Sequence, residues 1–128
     1  MKKAILITAR MKSTRLPLKV MRYLKDKPMI EHMIDRLMLS NLAEEIILCT
    51  SINPQDAILV DVAKKKGIKF FRGSEDDVLD RLYQAARENG IHFFVNVTAD
   101  NPLANEKYID KIMNTFNETE ADYITCLD

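Results

Sequence analysis

Two glycines sit in nearly the same context, "KKKGIKFF" over residues 64–71 and "RENGIHFF" over residues 87–94. In each, a polar stretch of helix-forming character reaches a glycine, and a run rich in Ile and Phe follows directly. A glycine just past a helix end takes the left-handed backbone that closes the last turn, a conformation that costs other residues about 1 kcal/mol. Each motif therefore reads as a helix-to-strand junction. A chain that repeats this junction alternates helices with strands, and that restricts its fold more than any other feature of the sequence.

The remaining segments fall into the same alternation. Strands are expected at Lys3–Thr8, Glu45–Thr50, Ile68–Phe71 and His92–Thr98, with a last one at Asp122–Leu127. One helix should run from Pro28 to about Leu39, with Ile30, Met33, Ile34, Leu37 and Met38 at helical spacing. A second is capped by Asn53 with Pro54 in its first turn, and turns Ile58, Val62 and Ala63 to the core. A third starts from a capping pattern of Ser74 and Asp77 and carries Val78, Leu82 and Ala85. A fourth covers roughly residues 105–116. Several strands are almost wholly apolar, as strands buried on both faces must be. The expected class is α/β: a three-layer domain, with a mostly parallel sheet and helices on both faces. In such sheets ligands bind at the carboxyl ends of the strands, near the switch in strand order. Those ends are residues 9–19, 51–54, 72–76 and 99–104.

Composition narrows the function classes. With 47% apolar and 30% charged residues in 128, the chain is an ordinary globular domain rather than a disordered one. Its net charge of zero conceals a split: residues 1–25 hold eight Lys or Arg and no acid, while all nineteen acids lie beyond them. Four of those cations, Arg10, Lys12, Arg15 and Lys19, occupy the segment after the first strand. No aromatic residue interleaves them and the rest of the chain is acidic, which argues against nucleic acid as the partner. No run approaches a membrane span, and the opening apolar stretch is too short for a signal core, so a cytoplasmic protein is expected. Cys49 and Cys126 lie in apolar runs without metal-ligand spacing and read as buried small hydrophobes.

The chemistry concentrates in three places. The segment 9–19 is neither a P-loop nor a dinucleotide fingerprint, since both glycine patterns are absent. Its position after the first strand suits phosphate, with Arg forks, Lys point charges and the hydroxyls of Ser13 and Thr14; a solvated basic loop is the alternative. Asp100 follows an apolar strand at once. It is either a Mg²⁺ ligand working with phosphate oxygens or an Asx turn. Arg72 and Ser74 flank Gly73 at a strand end, where a backbone can approach a ligand closely.

Taken in order, "ITARMKSTRLPLKVMRYLKDKPMIEHMIDRL", "FRGSEDDVLDRLYQAA" and "VTADNPL" resemble the cytidylyltransferases that make CMP-activated acidic sugars. The resemblance is strongest to the branch of the spore coat polysaccharide biosynthesis protein F, which includes acylneuraminate cytidylyltransferase-like proteins. It extends over essentially the whole chain, and implies that residues 1–128 are the nucleotide-binding portion of a nucleotide-diphospho-sugar transferase fold. It also implies the reaction of CTP with a sugar acid to give a CMP-sugar and pyrophosphate, and homodimer contacts. By the same resemblance Arg10 and Lys19 hold the triphosphate, with Ala9, Ser13, Thr14 and Arg15 completing the loop. Asp100 binds Mg²⁺, Thr98 lies near the nucleotide, and Arg72 and Ser74 lie nearest the base. Lys12 and Leu18 stand where the family loop usually has glycine. Such relatives are nearly twice as long, so the second reading is an inactive module that binds nucleotide or associates with itself.

Overall fold

The computed structural model describes residues 2–11, 23–24, 26–99, 107, 109–111 and 113–114. In chain order the elements are β1 (Lys3–Thr8), β2 (Tyr23–Leu24), β3 (Lys27–Pro28), α1 (Met29–Leu37), β4 (Glu45–Ser51), α2 (Ala57–Lys66), β5 (Lys69–Gly73), α3 (Val78–Glu88) and β6 (Phe93–Thr98). A 3-10 turn at Pro54–Asp56 leads into α2. The described residues between 107 and 114 are helical as well. The last expected strand, 122–127, lies outside the described residues.

β1, β4, β5 and β6 form one parallel sheet in the order β5-β4-β1-β6. Two crossovers step in one direction, from β1 to β4 to β5, and the third returns past β4 and β1 to β6. Right-handed crossovers put the helices of the first two steps on one face and the helix of the return on the other. The core follows that rule. Ile5, Ile7, Leu48, Val95 and Val97 pack with α1, α2, Ile109 and Met113 on one face. Ala4, Leu6, Ile47 and Cys49 pack with Leu82, Ala85 and Ala86 of α3 on the other. Successive residues of β1 alternate between the two, so Ala4 through Ile7 are all fully buried. Each buried Ile or Leu contributes about 2 kcal/mol of apolar transfer.

The two glycine junctions have the expected backbone: φ is +74° at Gly67, which caps α2, and +65° at Gly90. Other expectations are corrected in detail. Ile58 and Val78 are exposed, while α2 buries Val62 and Ala63 as expected, together with Leu59 and Val60. α1 ends at Leu37, and Met38 beyond it is half exposed. The short antiparallel ribbon of β2 and β3 has no turn glycine and is not foreshadowed by the sequence.

Candidate functional site at the carboxyl ends of the strands

The switch in strand order falls between β1 and β6, because the chain steps from β1 to β4 and β5 on one side of β1 and then returns to place β6 on its other side. The ladders on both sides of β1 continue one residue past the strands: the Ala9 amide donates to Cys49 O of β4 at 3.2 Å and the Ala99 amide, after β6, to Thr8 O at 3.0 Å. Ala9 and Met11 are buried, and Arg10 between them is exposed. The alternation of the strand thus carries on into the loop and turns the Arg10 side chain out at the end of β1. No described residue forms an ion pair with it.

Behind Arg10 the loop is fastened to β4. Met11 N donates to Asp56 Oδ1 at 2.7 Å, and the Ser51 hydroxyl donates to Asp56 Oδ2. Asp56 is 1% exposed. The Ser51 oxygen also accepts from Asn53 N at 3.1 Å, and Asn53 Oδ1 caps the 3-10 turn by accepting from Gln55 N at 3.0 Å.

Two arginines then fasten the backbone at the ends of the neighbouring strands, Arg72 that after β4 and Arg81 that after β5. Arg72 donates from Nε to Ser51 O at 2.9 Å and from Nη2 to Asn53 O at 2.8 Å. Arg81, on α3, donates from Nε to Ser74 O at 3.0 Å and from Nη2 to Glu75 O at 3.2 Å. Asn53 Nδ2 reaches both Glu75 carboxylate oxygens at 3.2 Å. The Ser74 hydroxyl accepts from Asp77 N at 3.0 Å, and Asp77 in turn accepts from Asp80 N at 3.0 Å to cap α3. Gly73 serves packing: a Cβ there would sit 2.7 Å from Phe71 Cε2 and 3.2 Å from Arg81 Cγ. The sequence reading of an open approach for a ligand is corrected on that point.

Arg81 is 2% exposed, and burial lowers its guanidinium from the ordinary value, with Arg10 close enough to push the same way. It remains a cation at neutral pH. Beneath it, burial pushes the Cys49 thiol up to about 12 although the Arg81 charge opposes the shift, so this group is a core thiol and no nucleophile. Nowhere among the described residues do three or more His, Cys, Asp or Glu side chains converge as metal ligands.

Of the residues predicted from sequence, Ala9, Arg10, Arg72, Ser74 and Thr98 stand at the carboxyl ends of β1, β5 and β6. Thr98 is exposed and lies opposite Thr8 in the ladder. Ser13, Thr14, Arg15, Lys19 and Asp100 lie outside the described residues, as do Lys12 and Leu18. Sequence reasoning missed Asp56 and gave Arg81, with Asp80, only a weak functional reading. Arg81 carried a signal, since it falls three residues after Val78 and four before Ala85, beside the apolar stripe of α3. Asp56 carried none. It looks like a first-turn acid, and only the fold brings it to Met11, 45 residues away in the chain.

The cytidylyltransferase family model matches residues 4–128. The chain is 31% identical to the Bacillus subtilis spore coat polysaccharide biosynthesis protein SpsF over 96% of its own length and 53% of that protein. It is 32% identical to the 3-deoxy-manno-octulosonate cytidylyltransferase of Chloroherpeton thalassium, over 94% of its own length and 48% of that enzyme. The solved structure of a cytidylyltransferase from Leptospira borgpetersenii is similar with a TM-score of 0.89 and 36% identity, covering 94% of this chain and 51% of that one. The chain thus spans about half the length of the curated relatives it matches. No helix among the described residues is long and apolar enough to cross a membrane.

Proposed function

The chain belongs to the cytidylyltransferase family, and from that premise we propose that it is the nucleotide-binding portion of an enzyme joining CTP to a sugar acid in surface polysaccharide synthesis. The observation that carries the reading is Arg10, exposed between two buried anchors at the end of β1 and beside the switch in strand order. In this reaction a sugar hydroxyl attacks the α-phosphorus in line and pyrophosphate leaves. No covalent intermediate is required, so the protein's task is to position the triphosphate and balance its charge.

In this reading Arg10 and Lys19 hold the triphosphate, and Ser13, Thr14 and Arg15 complete the cradle. Arg72 and Ser74 shape the wall nearest the base. Thr98 and Asp100 close the β6 side, with Asp100 as the protein ligand of a Mg²⁺ ion that would neutralise phosphate charge. Mg²⁺ suits such a site because one carboxylate, phosphate oxygens and water satisfy it.

Calorimetric titration of CTP with Mg²⁺ tests the proposal. Binding is expected, with Arg10→Ala and Lys19→Ala each weakening it by about tenfold or more and Lys12→Ala by less. Absence of both heat and a thermal shift at millimolar nucleotide would sink it.

A further inference from the structure

We infer that Asp56 is the positioning residue for the triphosphate loop, fixing where Arg10 points; the inference rests on the proposed function. Three facts carry it. The carboxylate accepts the Met11 amide at 2.7 Å, directly behind Arg10. Its second oxygen is held by the Ser51 hydroxyl, so the group cannot rotate away. And it is 1% exposed, so it faces the loop from the protein side and cannot compete with a polyanion from the solvent side.

The sequence supplies the reason such a device is needed. The segment from Arg10 to Lys19 holds four cations and no acid, and the whole of residues 1–25 holds no acid at all. Like charges so close together in sequence repel one another. A carboxylate buried behind the loop counters that repulsion and, by accepting a backbone N–H, fixes the main chain rather than any one side chain. It also determines which donors face a ligand. The Met11 amide is already engaged and the Met11 side chain is buried, so Arg10 is the group left to meet phosphate at this end of the loop. The 3-10 turn makes the placement possible, because Pro54 and the Asn53 cap hold Asp56 at the turn's end.

The discriminating measurement is the ratio of CTP to CMP affinity, which isolates what the outer phosphates add. Asp56→Ala is expected to shrink that ratio by about tenfold or more, because a misplaced loop loses phosphate contacts but not base contacts. Asp56→Asn, which keeps an oxygen for the Met11 amide, should shrink it by less, and Ser51→Ala by about threefold. Without any nucleotide, the Met11 amide of Asp56→Ala should exchange its hydrogen about tenfold faster or more, while Ile5 to Ile7 stay protected. Asp110→Ala is the control for simple destabilisation: it removes the acceptor of the Ser40 hydroxyl and of the Asn41 and Leu42 amides near the start of β4, and should leave the ratio unchanged. If Asp56→Ala does not fold, Asp56→Asn and Ser51→Ala decide. A ratio within about twofold of wild type in folded Asp56 and Ser51 variants overturns the inference alone. A wild-type chain that binds neither nucleotide overturns the proposed function, and the inference falls with it.

Discussion

The two ends of the sheet handle positive charge in opposite ways. At the amino end Lys2 and Lys69 converge on one carboxylate, Glu45 at the start of β4, with Lys2 at 3.0 Å. At the carboxyl end Arg72 and Arg81 donate to four backbone carbonyls, and among the described residues neither they nor Arg10 form an ion pair. A carboxylate cancels a cation's field, whereas a carbonyl satisfies its hydrogen bonds and leaves most of the charge in place. The first arrangement holds a structure together. The second does so through the main chain, with no carboxylate paired directly to the guanidinium groups among the described residues.

The comparison can be broken in three places. The largest effect should come from Arg81→Met, which leaves the Ser74 and Glu75 carbonyls without their donor. A loss of about 3 kcal/mol in urea denaturation is expected, independent of pH around neutrality because the guanidinium does not titrate there. A loss under about 1 kcal/mol would mean that something else holds the loop after β5. Next is Gly73→Ala, whose methyl must displace the Phe71 ring and the Arg81 stem; about 2 kcal/mol is expected by the same measurement, and a neutral result would refute the packing role of this glycine.

The smallest effect is at the amino end, where Glu45→Gln should cost about 1 kcal/mol at neutral pH. Burial alone would raise the Glu45 carboxyl, but hydrogen bonds from Lys69 and Lys2, and then their charges, outweigh it and hold the group below its ordinary 4.5. A carboxyl lowered in the folded state adds stability above its unfolded value and loses that contribution as the pH falls through the folded one. Thermal midpoints should therefore drop as the wild type is acidified below 4.5, less steeply in Glu45→Gln. Equal slopes would place the acid sensitivity elsewhere.

How far the sequence could be read depended on whether each signal was local. Gly67 and Gly90 announced their junctions because a left-handed residue at a helix end is a local requirement, and the apolar strands announced a sheet covered on both faces. Ile58 was misplaced for an equally local reason. At about 100° per residue the buried stripe of α2 centres on Leu59 and Ala63, and Ile58, one residue before it, falls at its exposed margin although it is one turn from buried Val62. Arg10 could be found by position, since the residue after a central parallel strand stands at the ligand edge. Asp56 could not, because its role exists only when β4 lies beside β1 and the chain folds back upon itself. Arg81 was half legible: a charge beside an apolar stripe signals something, but its partners are carbonyl oxygens, which no sequence displays.

Those carbonyl partners have a consequence for how the chain can change over time. Every amino acid carries a main-chain oxygen, so Arg72 and Arg81 hold the backbone of Ser51, Asn53, Ser74 and Glu75 whatever side chains stand there. Exposed Ile52 can be exchanged without loosening the frame that carries it, whereas Ser74 also accepts the Asp77 amide through its hydroxyl. The mount stays constant while its fittings vary, and the exposed edge can change without first rebuilding the fold.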